Sequence, residues 1–78
     1  MELSLNYFGM IAEVTNVQQE KLDIDVKTIN DLKLTLIEKY PAITKLNYQF
    51  AVNQHLVEDS FQLNNGDEIA LLPPFAGG

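Results

Sequence analysis

The segment between Thr28 and Pro41 is the one stretch of this 78-residue chain that can form a long helix, and it constrains the fold more than any other feature. Thr28 is a suitable N-cap, and Asp31 three residues later approximates a capping box and complements the positive end of the helix dipole. The apolar residues that follow form one stripe at helical spacing: Ile29, Leu32, Leu36, Ile37 and Tyr40. Pro41 disfavours the α region at the preceding residue and lacks an amide hydrogen, so the helix is predicted to end at Lys39 or Tyr40.

Alternating polar and apolar residues predict strands through most of the remaining chain. The predicted strands are residues 2–8, 20–26, 48–53, a short strand around Leu56 and Val57, and 67–72. The residues predicted to face inward are Leu3, Leu5 and Tyr7 in the first strand and Leu22, Ile24 and Val26 in the second. Residues 10–15 fit a helix of one or two turns. The pair Asn65-Gly66 predicts a tight turn before the last strand, whose unbroken apolar run from Ile69 predicts a central position. Together these elements predict an α+β fold in which a mixed sheet of about five strands packs on one side against one main helix.

The charge balance excludes several classes of partner. Eleven acidic residues against five lysines and no arginine give a formal charge of −6, which is the wrong sign for binding nucleic acid or an anionic membrane and favours basic protein partners. The chain has no cysteine, which excludes disulfides and thiolate metal sites. No apolar run approaches the roughly 20 residues that span a bilayer, and the N-terminus does not have the pattern of a leader, so a cytoplasmic location is predicted.

No constellation in the sequence points to catalysis within the chain. Asp59-Ser60-Phe61 superficially matches the serine motif of acyl carriers, but Asn64, Asn65 and Gly66 follow too soon for a helix to grow from Ser60. The single histidine, His55, lies in a predicted turn and has no cysteine with which to form a zinc site. The sequence therefore predicts no catalytic residue and no metal site in this chain.

The last six residues, Pro73, Pro74, Phe75, Ala76, Gly77 and Gly78, do not look like part of a packed domain. The two prolines cannot extend a strand ladder and hold the chain extended, so the tail is predicted to leave the body there. Two terminal glycines have no Cβ, which lets a partner close tightly around the backbone and admit the carboxylate deep into its site. We therefore predict a domain at residues 1–74 and a flexible Gly-Gly tail at 75–78 that inserts into another protein.

The whole chain resembles the ubiquitin-like sulfur-carrier family, and within it the small subunits of molybdopterin synthase. The resemblance rests on Phe8-Gly9 after the first strand, Tyr40-Pro41 at the helix end, the strand with Ala51-Val52-Asn53, and above all the final segment. That segment reads Gly66-Asp67-Glu68, an apolar strand, Pro73-Pro74, two residues and Gly77-Gly78. The resemblance implies the ubiquitin-like β-grasp fold with an extended C-terminal tail.

The resemblance also implies a function and a set of partners. The carboxyl group of Gly78 would be adenylated by an activating enzyme that uses ATP and then converted to a thiocarboxylate by a sulfur donor. The tail, residues Pro73 to Gly78, would insert into the large subunit and give its sulfur to a cyclic pyranopterin precursor of molybdenum cofactor. The assembly would be a heterotetramer in which the large subunit is catalytic. This chain would then not be an enzyme on its own, and it would bind no cofactor itself.

Three other interpretations stay open at the level of sequence. The chain could carry sulfur for another product, such as thiamine or thiolated tRNA. It could be a ubiquitin-like modifier whose terminal glycine forms an isopeptide bond with lysines of target proteins. It could also be an interaction module whose Gly-Gly end is incidental.

Overall fold

The structure is a computed structural model, and it describes residues 1–74. Within these residues, five strands and two α-helices follow one another, with one 3-10 helix after the long α-helix. The bounds are β1 Glu2–Tyr7, α1 Met10–Thr15, β2 Gln19–Asp23, α2 Ile29–Lys39, the 3-10 helix Pro41–Lys45, β3 Gln49–Val52, β4 His55–Val57 and β5 Glu68–Leu72. The predicted α+β class and the order of its elements are confirmed.

The five strands form one mixed sheet in the order β2-β1-β5-β3-β4. β1 pairs with β2 antiparallel and with β5 parallel, and β3 pairs antiparallel with both β5 and β4. The last strand therefore lies in the middle of the sheet, as its continuous apolar run predicts. A strand held on both sides is a rigid place from which to direct the chain that follows it.

The predicted cap of α2 is present in full. The Thr28 hydroxyl accepts a hydrogen bond from the Asp31 backbone N–H at 3.2 Å, and the Asp31 carboxylate accepts from the N–H groups of Thr28 and Lys27 at 3.1 and 3.0 Å. These backbone hydrogen bonds lower the pKa of Asp31, and the bond from Lys27 has the largest effect. The helix ends at Lys39 and the next residue begins the turn into the 3-10 helix, as the position of Pro41 predicts.

One apolar core lies between α2 and the inner face of the sheet. The inward positions predicted for β1 are all buried, and so are the first three residues of the predicted helix stripe, whereas Ile37 and Tyr40 are half-buried. The side chains with almost no exposure are Leu3, Leu5, Ile11, Ile29, Leu32, Leu36, Ile43, Ile69 and Leu71. Among residues 1–74, no helix has the length and apolar content needed to cross a bilayer.

Two elements differ from the sequence-based expectation. The second strand is Gln19–Asp23 and does not reach Val26, because its partner β1 begins at Glu2, which lies opposite Asp23. Val26 is buried as predicted, but in an irregular segment. The predicted polar connection after Pro41 is a 3-10 helix that buries Ile43, since proline fits the first position of a helix.

A polar cluster ties the edge strand β2 to the end of α2. The Glu20 carboxylate accepts hydrogen bonds from the hydroxyls of Tyr7 and Tyr40 and pairs with the Lys39 ammonium at 2.7 Å. The Glu20 side chain is only 15% exposed. Burial raises the pKa of Glu20, but the hydrogen bonds from Lys39, Tyr7 and Tyr40 outweigh that effect and lower it overall. Burial and the contact with Glu20 raise the pKa of both tyrosines.

Replacing this carboxylate should make the protein less stable in a way that depends on pH. Because the pKa of Glu20 is lowered on folding from 4.5, its ionised form stabilises the fold above about pH 4.5, and that contribution is lost as the pH falls through the folded value. Glu20→Gln should reduce the free energy of unfolding by about 1–3 kcal/mol at pH 7. Urea titrations from pH 7 to pH 3 would measure the difference, which should shrink on acidification.

Glu38→Gln is the matched control, because Glu38 is exposed on α2 and forms no ion pair within residues 1–74. It should change the free energy of unfolding by less than about 0.5 kcal/mol. Equal effects of the two substitutions, or a Glu20→Gln effect that persists unchanged at pH 3, would contradict the assigned role of the cluster.

Candidate functional site

The candidate site is the point where the chain leaves the middle of the sheet. Leu71 of β5 pairs with Tyr7 of β1, and Leu72 pairs with Gln49 of β3, so the strand is held on both sides as far as Leu71 and on the β3 side to its last residue. Pro73 and Pro74 follow directly, are exposed, and lie outside the strand. The prolines therefore end the ladder where they were predicted to end it. The other predicted insertion residues, Phe75, Ala76, Gly77 and Gly78, lie outside the described residues, and so does the predicted flexible tail.

Gly9 packs against the start of the tail. Its backbone has φ 60° and ψ −137°, which lies in a region that side chains with a Cβ avoid. A Cβ on Gly9 would lie 3.0 Å from Cγ of Pro73. Two hydrogen bonds fix the chain around Pro73. The Phe8 N–H donates to the Leu71 carbonyl at 3.2 Å, and Gln49 Nε2 donates to the Pro73 carbonyl at 3.4 Å. Gly9 thus lets the turn before α1 lie directly on Pro73.

An apolar cleft opens beside the two prolines, and we call it the tail-root cleft. Its volume is about 330 Å³, and it is formed by Gly9, Met10, Ile11, Leu46, Asn47, Pro73 and Pro74. Met10 is 60% exposed, although methionine is an apolar residue. Asn47 is the one lining residue with a polar side chain, so the cleft offers a partner mainly apolar contact.

A second apolar surface lies on the face of the sheet that α2 does not cover. The strand register places Ala70, Ala51 and Leu56 side by side across β5, β3 and β4. Phe8 and Leu72 line the same concavity, of about 380 Å³, and we call these five residues the sheet-face patch. Leu56 is 60% and Phe8 47% exposed. This patch was not predicted, although apolar residues at outward strand positions are a sequence signal for such a surface.

The remaining polar candidates do not gather into a site. His55 is exposed at the start of β4, with Nδ1 3.1 Å from the Asn53 carbonyl oxygen. Ser60 is exposed in a turn and does not begin a helix. In the part of the chain that the structure describes, no three His, Cys, Asp or Glu side chains are placed to hold a metal ion.

The sequence matches a family model described as the ThiS family over residues 5–78. The molybdopterin synthase sulfur carrier subunit of Chlamydomonas reinhardtii is 32% identical, with 100% of both chains aligned. The human protein of the same name is 33% identical over 99% of this chain and 94% of its own length. The family match and these relatives confirm the predicted resemblance to small sulfur-carrier subunits.

Solved structures confirm the ubiquitin-like β-grasp fold. Small archaeal modifier protein SAMP1 from Haloferax volcanii superposes with a TM-score of 0.82 at 24% identity, with both chains covered completely. A complex of subunits 1 and 2 of molybdopterin-converting factor from Helicobacter pylori contains a chain that superposes with a TM-score of 0.71 at 29% identity, again over both whole chains.

Proposed function

This chain belongs to the ThiS family, and we propose that it is the sulfur-carrying small subunit of a molybdopterin synthase, with sulfur held at the carboxyl group of Gly78. One observation carries the proposal most directly: the central strand β5 runs without interruption into Pro73 and Pro74, and the sequence Phe75-Ala76-Gly77-Gly78 follows them. The family match extends through the same residues. A rigid strand followed by two prolines is a suitable support for a reactive end that must enter another protein.

The chemistry follows from the weakness of a carboxylate as an electrophile. An activating enzyme would adenylate the Gly78 carboxyl group with ATP, forming a mixed anhydride and releasing pyrophosphate. A sulfur donor would then displace AMP and leave a thiocarboxylate, whose sulfur is a good nucleophile. In the large subunit that sulfur would be given to a cyclic pyranopterin precursor. The carrier supplies sulfur and the large subunit supplies the catalytic groups.

The partner surfaces follow from the apolar patches and the charge. The complex of subunits 1 and 2 from Helicobacter pylori supports a large-subunit partner, and we propose a heterotetramer with the large subunits at its centre. The sheet-face patch would dock on the body of that subunit, because exposed large apolar residues are surrounded there by Asn6, Gln54 and Glu68. The net charge of −6 favours a basic rim on each partner, the activating enzyme included.

A charge placed in the sheet-face patch should weaken that docking. Leu56→Glu puts a carboxylate where Leu56 would be buried, so the dissociation constant for the large subunit should rise at least about tenfold, or about 1.4 kcal/mol. Isothermal titration calorimetry with the large subunit of the same organism would measure the change. Leu34→Glu is the matched control, because Leu34 is 56% exposed on α2 and the substitution adds the same charge. A loss of affinity as large in Leu34→Glu would contradict docking at the patch.

Reconstitution with purified components tests the function itself. The chain is incubated with ATP, the activating enzyme, a sulfur donor, the large subunit and the cyclic pyranopterin precursor. Formation of molybdopterin that requires Gly78 supports the proposal. Failure to form molybdopterin, with covalent conjugates to lysines of other proteins instead, would assign the chain to the modifier class. Sulfur transfer only to thiamine or tRNA intermediates would assign it to another sulfur pathway.

A further inference from the structure

The tail-root cleft is separate from the sheet-face patch, and the packing of the domain core does not account for it. It is formed by the first turn of α1, by Leu46 and Asn47 after the 3-10 helix, and by the two prolines. Its floor is the buried Ile11, whereas its mouth carries Met10, 60% exposed. Exposing an apolar side chain beside an apolar cleft forgoes burial that the fold could otherwise use. Methionine is flexible and adapts to the surface that covers it, which suits a contact made only in a complex.

The length of the tail determines what comes close to this cleft. The inference rests on the proposed function, in which sulfur is carried at Gly78. Four residues beyond Pro74 reach at most about 13–14 Å when fully extended. A partner whose reactive cleft is as deep as this reach would bring the mouth of that cleft down to the prolines. Since Pro73 and Pro74 form one wall of the tail-root cleft, such a mouth would also face the tail-root cleft as the tail enters.

We propose that the tail-root cleft receives an apolar side chain from the mouth of the large-subunit site and that Met10 closes over it. The volume of about 330 Å³ lies at the small end of ligand pockets and suits one large apolar side chain rather than a peptide. The contact forms only when the tail is inserted, so it stabilises the inserted state. The surface is thus distinct from the patch that docks the body of the carrier.

Three substitutions test the contact, with affinity for the large subunit measured by isothermal titration calorimetry. Met10→Glu places a carboxylate at the mouth of the cleft and is compatible with the start of α1, where a negative charge complements the helix. Met10→Leu keeps an apolar side chain. Leu34→Glu adds the same charge as Met10→Glu on the solvent side of α2, at a residue 56% exposed. Melting temperatures of the isolated chains report whether any variant is impaired in folding.

We expect Met10→Glu to weaken binding at least about tenfold relative to Leu34→Glu and Met10→Leu to stay within about threefold of the unchanged chain. A smaller difference between the two glutamate variants, or a loss in Met10→Leu as large as in Met10→Glu, overturns the proposal. A lowered melting temperature of Met10→Glu without a loss of affinity also overturns the proposal, because the cleft would then stabilise the fold of this chain and not the complex. If the unchanged chain does not bind the large subunit at all, the proposed function fails instead.

Discussion

A chain that lacks Gly78 is expected to lose sulfur transfer by at least about 100-fold, because a reacting group misplaced by even 1 Å can cost that much and the new terminus would lie about 3.5 Å short. Its melting temperature should stay within about 3 °C of the unchanged chain, since the deletion removes none of the residues that form the apolar core. Replacing Gly77 with leucine should act in the same way, because a side chain there blocks close approach by the partner. Reconstituted molybdopterin formation and calorimetric melting measure the two effects.

Gly78→Ala is the control for the deletion, since it keeps the length of the tail and its terminal carboxylate and adds one methyl group. It should retain more transfer than either the deletion or Gly77→Leu. A large fall in melting temperature on deletion would mean that the tail belongs to the fold. Full transfer by the shortened chain would show that the carboxyl group of Gly78 is not the carrier.

Gly9→Ala should reduce both stability and transfer. The conformation of Gly9 costs a residue with a Cβ about 1–3 kcal/mol. In addition, the new Cβ would lie 3.0 Å from Pro73 Cγ, so the two carbons must separate by about 0.5 Å to reach ordinary contact. In the complex with the large subunit, where the proposed tail is extended, a displacement at its start would shift the Gly78 carboxyl group, so transfer at saturating large subunit should fall about tenfold.

Gly66→Ala separates the two effects, because Gly66 also has a positive φ, 87°, but a Cβ there meets nothing within 4 Å. It should cost stability, about 1–2 kcal/mol, without slowing transfer. The steric part is tested by a double-mutant cycle with Pro73→Ala, which removes Cγ. Gly9→Ala should then slow transfer much less than in the unchanged background. Equal slowing in both backgrounds would mean that Gly9 acts only through its own backbone.

Local rules predicted the elements whose causes lie within a few residues. The capping box at Thr28 and Asp31, the end of α2 before Pro41, and the alternation in β1 depend on neighbours in sequence, and each is confirmed. The predicted end of β2 was wrong, because the end of this strand depends on where its partner strand begins. The 3-10 helix was not predicted, since a single apolar residue such as Ile43 gives no periodicity.

The site was only partly predictable for the same reason. The prolines announce the end of β5 because proline acts on its own backbone, and they lie where the sequence placed them. Gly9 and Pro73 lie near opposite ends of the sequence, so no local pattern predicts the contact between them. The sheet-face patch forms only when the strand register brings Ala70, Ala51 and Leu56 into line. The roles of residues 75–78 remain predictions from the sequence and the family.

The mass of the intact chain, purified from cells with an active sulfur pathway, tests the central claim most directly. We expect a fraction of the chain to be heavier by the difference between sulfur and oxygen, with the sulfur located at Gly78 by fragmentation in the mass spectrometer. The heavier form should disappear when the activating enzyme is absent. A chain that carries only oxygen at Gly78, even after incubation with ATP, the activating enzyme and a sulfur donor, or that carries the sulfur elsewhere, would contradict it.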